Sequence, residues 1–532
     1  MKYKAPYRVL ISDKLGDEGI QLLEEAEDAE FDIKLNLDHE ILIKEISSYD
    51  ALIVRSGTQV DAQLLESASR LKVVGRAGIG IDNIDLDAAT RQGIIVMNTP
   101  QPNAVATAEL TMALLLAIGR NLPLAHATLL NKKWDRSLFV GQQVYRKTLG
   151  IIGFGRIGRL VATRAQSFDM EVIAYDPFVS EEIAKELDVM LVDLEDLLEV
   201  SDYISLHTLL TPDTKGIIDA EAIESMKEGV FIINTARGHL INEEALFNAL
   251  TKGKIKGAAL DVYSSEPPFE NQLIGLPNVI HTPHLGANTK EAQRDVATQM
   301  VRQILDALRG KEYRNAINMP FSAGPDFEET RPHLELAEKL GMIQTALATA
   351  PIRRVEVEVK GDKAERLVRP VAAALLKGLL AEFLSGHVNY INAPIRAAEA
   401  GISITQTKGI GPSIYPNLVS CRVYWDGGER LVAGVLFGDV RPRIVQVDDI
   451  FVDAKPEGSV IIMSNDDKPG VIGQAGTILA NHNVSIGEWR MGRHHPGGQA
   501  LSFISVDSLP SEEVLGELRA IEAVAGVKLV IF

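Results

Sequence analysis

The amino-acid sequence predicts an α/β protein in which two doubly wound parallel-sheet units are followed by two smaller α+β units. Three observations carry this expectation. From Arg8 to about Gly310, short runs rich in Val and Ile alternate with stretches of helical periodicity, the pattern of parallel strands covered by helices. A glycine-rich turn, Gly153-Phe154-Gly155-Arg156-Ile157-Gly158, directly follows one of these apolar runs. After Pro320 the texture changes, and the last segment reads in the order βαββαβ. At 532 residues the chain is long enough for several cores, because single cores stop growing near ~250–300 residues.

In the first unit Arg8–Ile11, Ala51–Val54, Leu71–Val74 and Ile94–Met97 read as strands, with Asp61–Ser69 as one of the intervening helices. The second series runs through Leu149–Ile152, Val172–Tyr175, Tyr203–Leu206, Val230–Ile233, Ala258–Leu260 and Val279–Thr282. A helix from Asn288 to about Gly310 is expected to return to the first unit. Residues 1–99 and 289–320 then form one discontinuous domain, 100–288 form the second, and a cleft lies between them. Phe321–Asp326 reads as a linker opening the third domain, 321–455, with helices at Leu334–Ala348 and Pro370–Leu384 and strands at Arg354–Lys360, Val419–Trp425 and Arg430–Phe437. Beyond the polar junction Asp453–Gly458, the domain 458–532 is expected to hold Ser459–Ser464, a helix at Gly470–Ala480, further strands, a helix near Ser511–Ile521 and a last strand at Val527–Phe532.

Charge and cysteine usage exclude several classes. The balance of 54 Lys+Arg against 72 Asp+Glu leaves −18, which opposes attraction to nucleic acid or to an anionic membrane. Cys421 is the single cysteine, so no intrachain disulfide forms and a reducing compartment is compatible. No signal peptide is read before Asp13, and the longest apolar run, Met112–Ile118, is far short of the ~20 residues that span a bilayer. The cytoplasm is the expected location.

The glycine turn sits between the strand Leu149–Ile152 and a helix, Arg159–Phe168. In that context Gly153 allows the tight turn, Gly155 lets a pyrophosphate approach the backbone, and Gly158 allows close helix-to-strand packing. The helix start then presents free N–H groups to the phosphates. Asp176 ends the next strand 18 residues after Gly158, where a carboxylate suits the ribose hydroxyls of NAD and repels the 2′-phosphate of NADP. Three later strand ends carry chemistry. They lead into Asn234-Thr235-Ala236-Arg237-Gly238, Asp261-Val262-Tyr263-Ser264-Ser265-Glu266-Pro267 and Pro283-His284-Leu285-Gly286, at the carboxyl ends where doubly wound sheets bind ligands. A histidine accepts a hydroxyl proton near neutral pH, a glutamate orients it, and an arginine grips a carboxylate by two parallel bonds.

Together these motifs resemble those of the D-2-hydroxyacid dehydrogenase family, whose second unit is an NAD-binding Rossmann domain. The resemblance implies catalytic roles for Arg237, Glu266 and His284, with His284 as acid/base, Glu266 as its partner and Arg237 holding the carboxylate and polarising the carbonyl. It implies cofactor contacts at Arg156, Ile157, Thr208, Thr235, Ala236, Asp261 and Gly286, beside the three glycines and Asp176. The loop Arg76–Asp85 and Asn103 match the family's substrate-side positions, as does the loop Arg55, Ser56 and Gly57 after a strand. Asn465-Asp466-Asp467-Lys468-Pro469-Gly470, with its following helix and Ser485, resembles an ACT domain, and Val388–Gly401 resembles the extra domain of long-form relatives.

Those additions imply 3-phospho-D-glycerate as substrate, oxidised to 3-phosphohydroxypyruvate for serine synthesis. Local cations for its phosphate are expected among Arg55, Arg76, Lys132, Lys133 and Arg136; the last three lie in a segment that reaches a partner subunit's site in this family. Asn465, Asp467 and Ser485 are the candidate positions for an amino-acid effector, serine, and homo-oligomerisation is implied with it. Reduction of hydroxypyruvate, glyoxylate or 2-oxoglutarate is the alternative within the class, and an NAD-sensing corepressor the alternative outside it. No metal site is read: His494 and His495 are expected to be loop residues, and His281 and His207 to be packed at strand ends.

Overall fold

The computed structural model describes residues 6–100, 102–321, 327–381, 383, 388–409, 415–438 and 440–532. Four sheets organise the chain. The first is five-stranded and parallel, in spatial order Ala29–Ile33, Tyr7–Ile11, Ala51–Val54, Val73–Arg76 and Ile95–Asn98. Ala51–Val54 is buried along its whole length, as a parallel strand covered on both faces requires. The edge strand Ala29–Ile33 was not expected. Its sequence, Ala-Glu-Phe-Asp-Ile, mixes acids with apolar residues because an edge strand meets solvent, so it offers no continuous apolar run.

The second sheet has seven strands, all parallel, in the order Met190–Leu191, Glu171–Tyr175, Thr148–Ile152, Tyr203–Leu206, Val230–Asn234, Ile255–Leu260 and Val279–His281. The order reverses at Thr148–Ile152, which lies between Glu171–Tyr175 and Tyr203–Leu206. Such a reversal opens a crevice at the carboxyl ends of the strands.

Two long helices join these units. Pro102–Gly119 buries Ala108, Met112, Leu114, Leu115 and Ile118 against Leu149, Ile151 and Phe231, which accounts for the apolar run noted in the sequence. No single helix among the described residues is long and apolar enough to cross a membrane. Lys290–Leu308, capped by Thr289 accepting from the Ala292 amide, packs Val296, Ala297, Met300, Val301 and Ile304 onto Val9, Ile11, Ile53 and Val73 of the first sheet.

The third sheet is mixed, in the order Ser403–Gly409, Arg354–Lys360, Leu418–Trp425, Gly428–Phe437, Arg441–Val447 and Ile450–Ala454, with the helices Phe327–Leu347 and Ala364–Leu380 against it. From this unit Asn389 donates to the Gly93 carbonyl at 2.6 Å, and Ile391 is buried in the apolar cluster of the first unit. The fourth sheet is antiparallel, in the order Ile486–Arg493, Gln499–Val506, Ser459–Asp466 and Val524–Ile531, with Val471–Asn481 and Glu512–Arg519 packed on it. Its chain order is βαββαβ, as the sequence predicts.

Candidate active site

At the switch point of the second sheet the glycine turn has the shape a dinucleotide needs. Gly153 has φ +96°, and a Cβ there would lie 2.6 Å from the His207 carbonyl carbon and the Thr208 nitrogen. A Cβ on Gly158 would lie 2.2 Å from the Gly153 carbonyl oxygen. Gly155 is exposed with open space beyond it, and the helix Arg156–Gln166 begins immediately after. Thus two glycines are demanded by packing and the middle one leaves the backbone open to a phosphate. Arg156 is exposed and Ile157 half-buried on the first helical turn, and Thr208 faces the turn from the neighbouring strand end. Asp176 accepts the Phe154 and Phe178 amides, each at 2.9 Å, which fixes its carboxylate at the end of Glu171–Tyr175. These residues fit NAD.

The strand ends that follow are braced by side chains. Asn234 accepts the Ala236 amide at 3.0 Å and donates to the Arg237 carbonyl at 2.9 Å, stapling the turn that presents Arg237. Thr235 is hydrogen-bonded to Thr111 at 2.8 Å, and Thr107 donates to the Gly286 carbonyl at 3.2 Å. Helix Pro102–Gly119 therefore ties two of these strand ends together through Thr107 and Thr111, which no motif announces.

Asp261 is fully buried, and both its oxygens are taken: Thr282 Oγ1 donates at 2.6 Å, the Leu285 amide at 2.7 Å and the Gly286 amide at 2.9 Å. Burial raises its pKa, although these hydrogen bonds and the charge of His284 pull the other way. The Asp261 carboxylate thus anchors the loop that carries His284. The His284 backbone itself lies in the left-handed region at φ +54°, a conformation costing about 1 kcal/mol or more in a non-glycine residue, and its amide donates to the Asp261 carbonyl at 2.9 Å.

His284 Nδ1 lies 2.9 Å from Glu266 Oε2, while Glu266 Oε1 accepts the Tyr263 amide at 3.2 Å. Burial opposes the charge on Glu266, but the hydrogen bond and charge of His284, the Tyr263 amide and the charge of Arg237 outweigh it and hold the carboxyl below its ordinary range. A carboxylate on Nδ1 assigns the proton to that nitrogen and leaves Nε2 free. Both side chains are partly exposed, so Nε2 is open to a reactant.

Across the cleft the first sheet supplies cations. The Arg55-Ser56-Gly57 loop is held by Asp13, whose Oδ2 accepts the Arg55 amide at 2.6 Å and the Thr58 amide at 3.1 Å, and whose Oδ1 accepts from Thr58 Oγ1 at 3.1 Å. Asn83 donates to the Arg55 and Thr58 carbonyls from the other side. Arg76 is largely enclosed, and its buried Nε has no hydrogen-bond partner among the described residues. Burial, together with the charges of Arg237 and Arg55, pushes it down to about 10. Arg55, Arg76 and Arg237 therefore share one field.

Other expected positions are not drawn into this cluster. Lys132, Lys133 and Arg136 are exposed, and among the described residues nothing bonds them to the three arginines. The side chain of Asn103 lies outside the described residues. His207 is bonded to Ser205 at 2.7 Å and pushed down to about 3 by burial; His281 pairs with the Tyr263 hydroxyl at 2.9 Å. In the last unit Asn465 is buried with Oδ1 unpartnered among the described residues, Ser485 is exposed, and Asp467 is engaged by Arg493 at 2.7 Å and the Gly497 amide at 3.1 Å. Among the described residues no group of three or more His, Cys, Asp or Glu could hold a metal.

Residues 112–286 match the NAD-binding domain of D-isomer specific 2-hydroxyacid dehydrogenases, 329–448 the D-3-phosphoglycerate dehydrogenase intervening domain, and 459–523 the ACT domain. The D-3-phosphoglycerate dehydrogenase of Archaeoglobus fulgidus is 41% identical over 97% of this chain and 98% of its own, and that of Methanocaldococcus jannaschii 40% identical over 98% and 99%. Among solved structures, the D-lactate dehydrogenase of Aquifex aeolicus, complexed with NAD and lactic acid, is 30% identical with a TM-score of 0.52, covering 57% of this chain and 96% of that one. NAD is the cofactor that this cradle shares with the matched NAD-binding domain. The chain belongs to the D-3-phosphoglycerate dehydrogenase family, within the NAD-dependent D-isomer specific 2-hydroxyacid dehydrogenases.

Proposed function

We propose that this chain oxidises 3-phospho-D-glycerate at C2 to 3-phosphohydroxypyruvate, feeding L-serine synthesis in the cytoplasm. The observation that carries the substrate is the cluster of Arg55, Arg76 and Arg237 in a chain of net charge −18. Three guanidinium groups near enough to act on one another's charge suit a ligand with a carboxylate at one end and a phosphate at the other; glyoxylate or hydroxypyruvate, lacking the phosphate, leaves part of that field unmatched. The buried, unpartnered Nε of Arg76 supports an anion at that position.

When bound, NAD supplies the acceptor for the hydride leaving C2. The remaining work falls to side chains. His284 Nε2 takes the C2 hydroxyl proton, Glu266 stabilises the imidazolium that results, and Arg237 holds the substrate carboxylate. Reduction runs the same proton path in reverse. The four oxo acids 3-phosphohydroxypyruvate, hydroxypyruvate, glyoxylate and 2-oxoglutarate are compared with NADH. A preference of about 100-fold or more in kcat/KM for the phosphorylated acid is expected; parity with hydroxypyruvate overturns the substrate, and no turnover with any acid favours the NAD-sensing reading. His284→Gln is expected to lower kcat by ~10³-fold with NADH affinity within a few-fold of wild type.

The unpartnered Oδ1 of Asn465, next to the turn at Asp467, supports an amino-acid effector at the ACT unit. Serine in the same assay is expected to slow turnover, and an unchanged rate at millimolar serine removes that role. Exposed Leu129, Leu130, Trp134, Leu138 and Val140 support a homo-oligomer with this segment against a second copy.

A further inference from the structure

Arg237 and Arg76 approach the cleft from opposite units. Arg237 leaves the strand Val230–Asn234, and Arg76 ends Val73–Arg76. Arg76 feels the charge of Arg237, and Arg55 adds to it. That repulsion disfavours two guanidinium groups sharing one cleft.

Asp82 opposes it. This residue lies on the loop between Val73–Arg76 and the helix Leu86–Gln92, and its Oδ2 accepts Arg237 Nε at 3.2 Å across the cleft. On the other flank Arg237 Nη1 donates to the Ala236 carbonyl at 2.7 Å. Two of the three guanidinium nitrogens are thereby fixed. The third, Nη2, has no hydrogen-bond partner among the described residues and lies over Gly80, where a Cβ would come within 2.1 Å of it. The bare backbone at Gly80 gives the fork its room, and Asp82 sets the plane.

We propose that Asp82 is a positioning residue for the reaction: reaching across the cleft, it pins the Arg237 fork so that Nη2 is presented to the substrate carboxylate. This rests on the reading of Arg237 as the carboxylate clamp. Asp82 holds the clamp by Nε alone and leaves Nη2 free, so it acts as a support and not as a rival for the substrate's place. The pair also links the unit that holds the cations for the phosphate to the unit that holds the carboxylate, which fixes the spacing between the two ends of the ligand.

The test is steady-state reduction of 3-phosphohydroxypyruvate by the full-length chain, with Asp82→Asn, Arg237→Lys and the double variant, and with NADH affinity measured for each. A carboxylate gripped equally in the ground and transition states contributes to KM and not to kcat. Because Asp82 is exposed, Asp82→Asn is expected to raise KM about fivefold with kcat within about twofold and NADH affinity unchanged. In the Arg237→Lys background, which has no Nε, the same change is expected to add nothing. A KM that stays the same or falls in Asp82→Asn, or an equal rise in both backgrounds, overturns the proposal. If Arg237→Lys itself leaves KM and kcat unchanged, the clamp reading fails first; if Arg237→Lys is impaired while Asp82→Asn is not, the clamp stands and only the role of Asp82 falls.

Discussion

The two parallel sheets use the same device on opposite walls of the cleft, and they use it at different depths. Asp13 follows the strand Tyr7–Ile11 and holds the Arg55 loop of the adjacent strand by three hydrogen bonds. Asp261 follows Ile255–Leu260 and holds the His284 loop of its neighbour by three as well. The difference is solvent. Asp13 is half-buried, whereas Asp261 is wholly buried with its pKa raised. An acceptor lost in a dry site leaves donors that no water can satisfy, so the loop carrying His284 is bound more stringently than the loop carrying Arg55. On the roles proposed for them the contrast follows, because proton transfer needs atoms placed within a few tenths of an ångström and attraction of an anion tolerates more.

That contrast can be broken experimentally. The largest effect is expected from Asp261→Asn, which replaces an acceptor by a donor facing the amides of Leu285 and Gly286. Turnover should fall by ~10²-fold, and those two amides should exchange with solvent at least ~10-fold faster. Asp13→Asn should instead raise KM for the phosphorylated oxo acid ~10-fold with kcat nearly unchanged, with faster exchange at Arg55 and Thr58. Equal loss of kcat in both variants would mean that burial does not separate them. The smallest pair removes one hydroxyl from each anchor: Thr282→Val should lower kcat about three- to tenfold, and Thr58→Val should change KM by less than about threefold.

The sequence made the fold class readable because parallel strands buried on both faces, such as Ala51–Val54 and Val230–Asn234, are continuous apolar runs. It hid Ala29–Ile33, an edge strand with solvent on its outer side, and it placed the start of the helix Phe327–Leu347 too late, at Leu334, because the Glu-rich first turn and Pro332 carry no apolar stripe. In the site, the placement of the glycine turn, Arg237, Glu266 and His284 after strand ends was legible. The contacts that aim them were not. Thr107 and Thr111 lie mid-helix, and Asp13 and Asp82 lie in loops without a motif, so their partners at Gly286, Thr235, the Arg55 loop and Arg237 become visible only once the chain is folded. Long-range pairing of this kind leaves no periodicity to read.

Ile391, which belongs to the third unit by sequence, completes the apolar filling of the first. The boundary near Pro320 is therefore not a clean place to cut. A shortened gene product ending there would keep Arg237, Glu266 and His284 and yet leave the place of Ile391 in that apolar cluster empty, with the Gly93 carbonyl stripped of its amide partner. Anyone building a minimal dehydrogenase from this scaffold has to fill that gap, for instance with a grafted copy of the 389–392 segment.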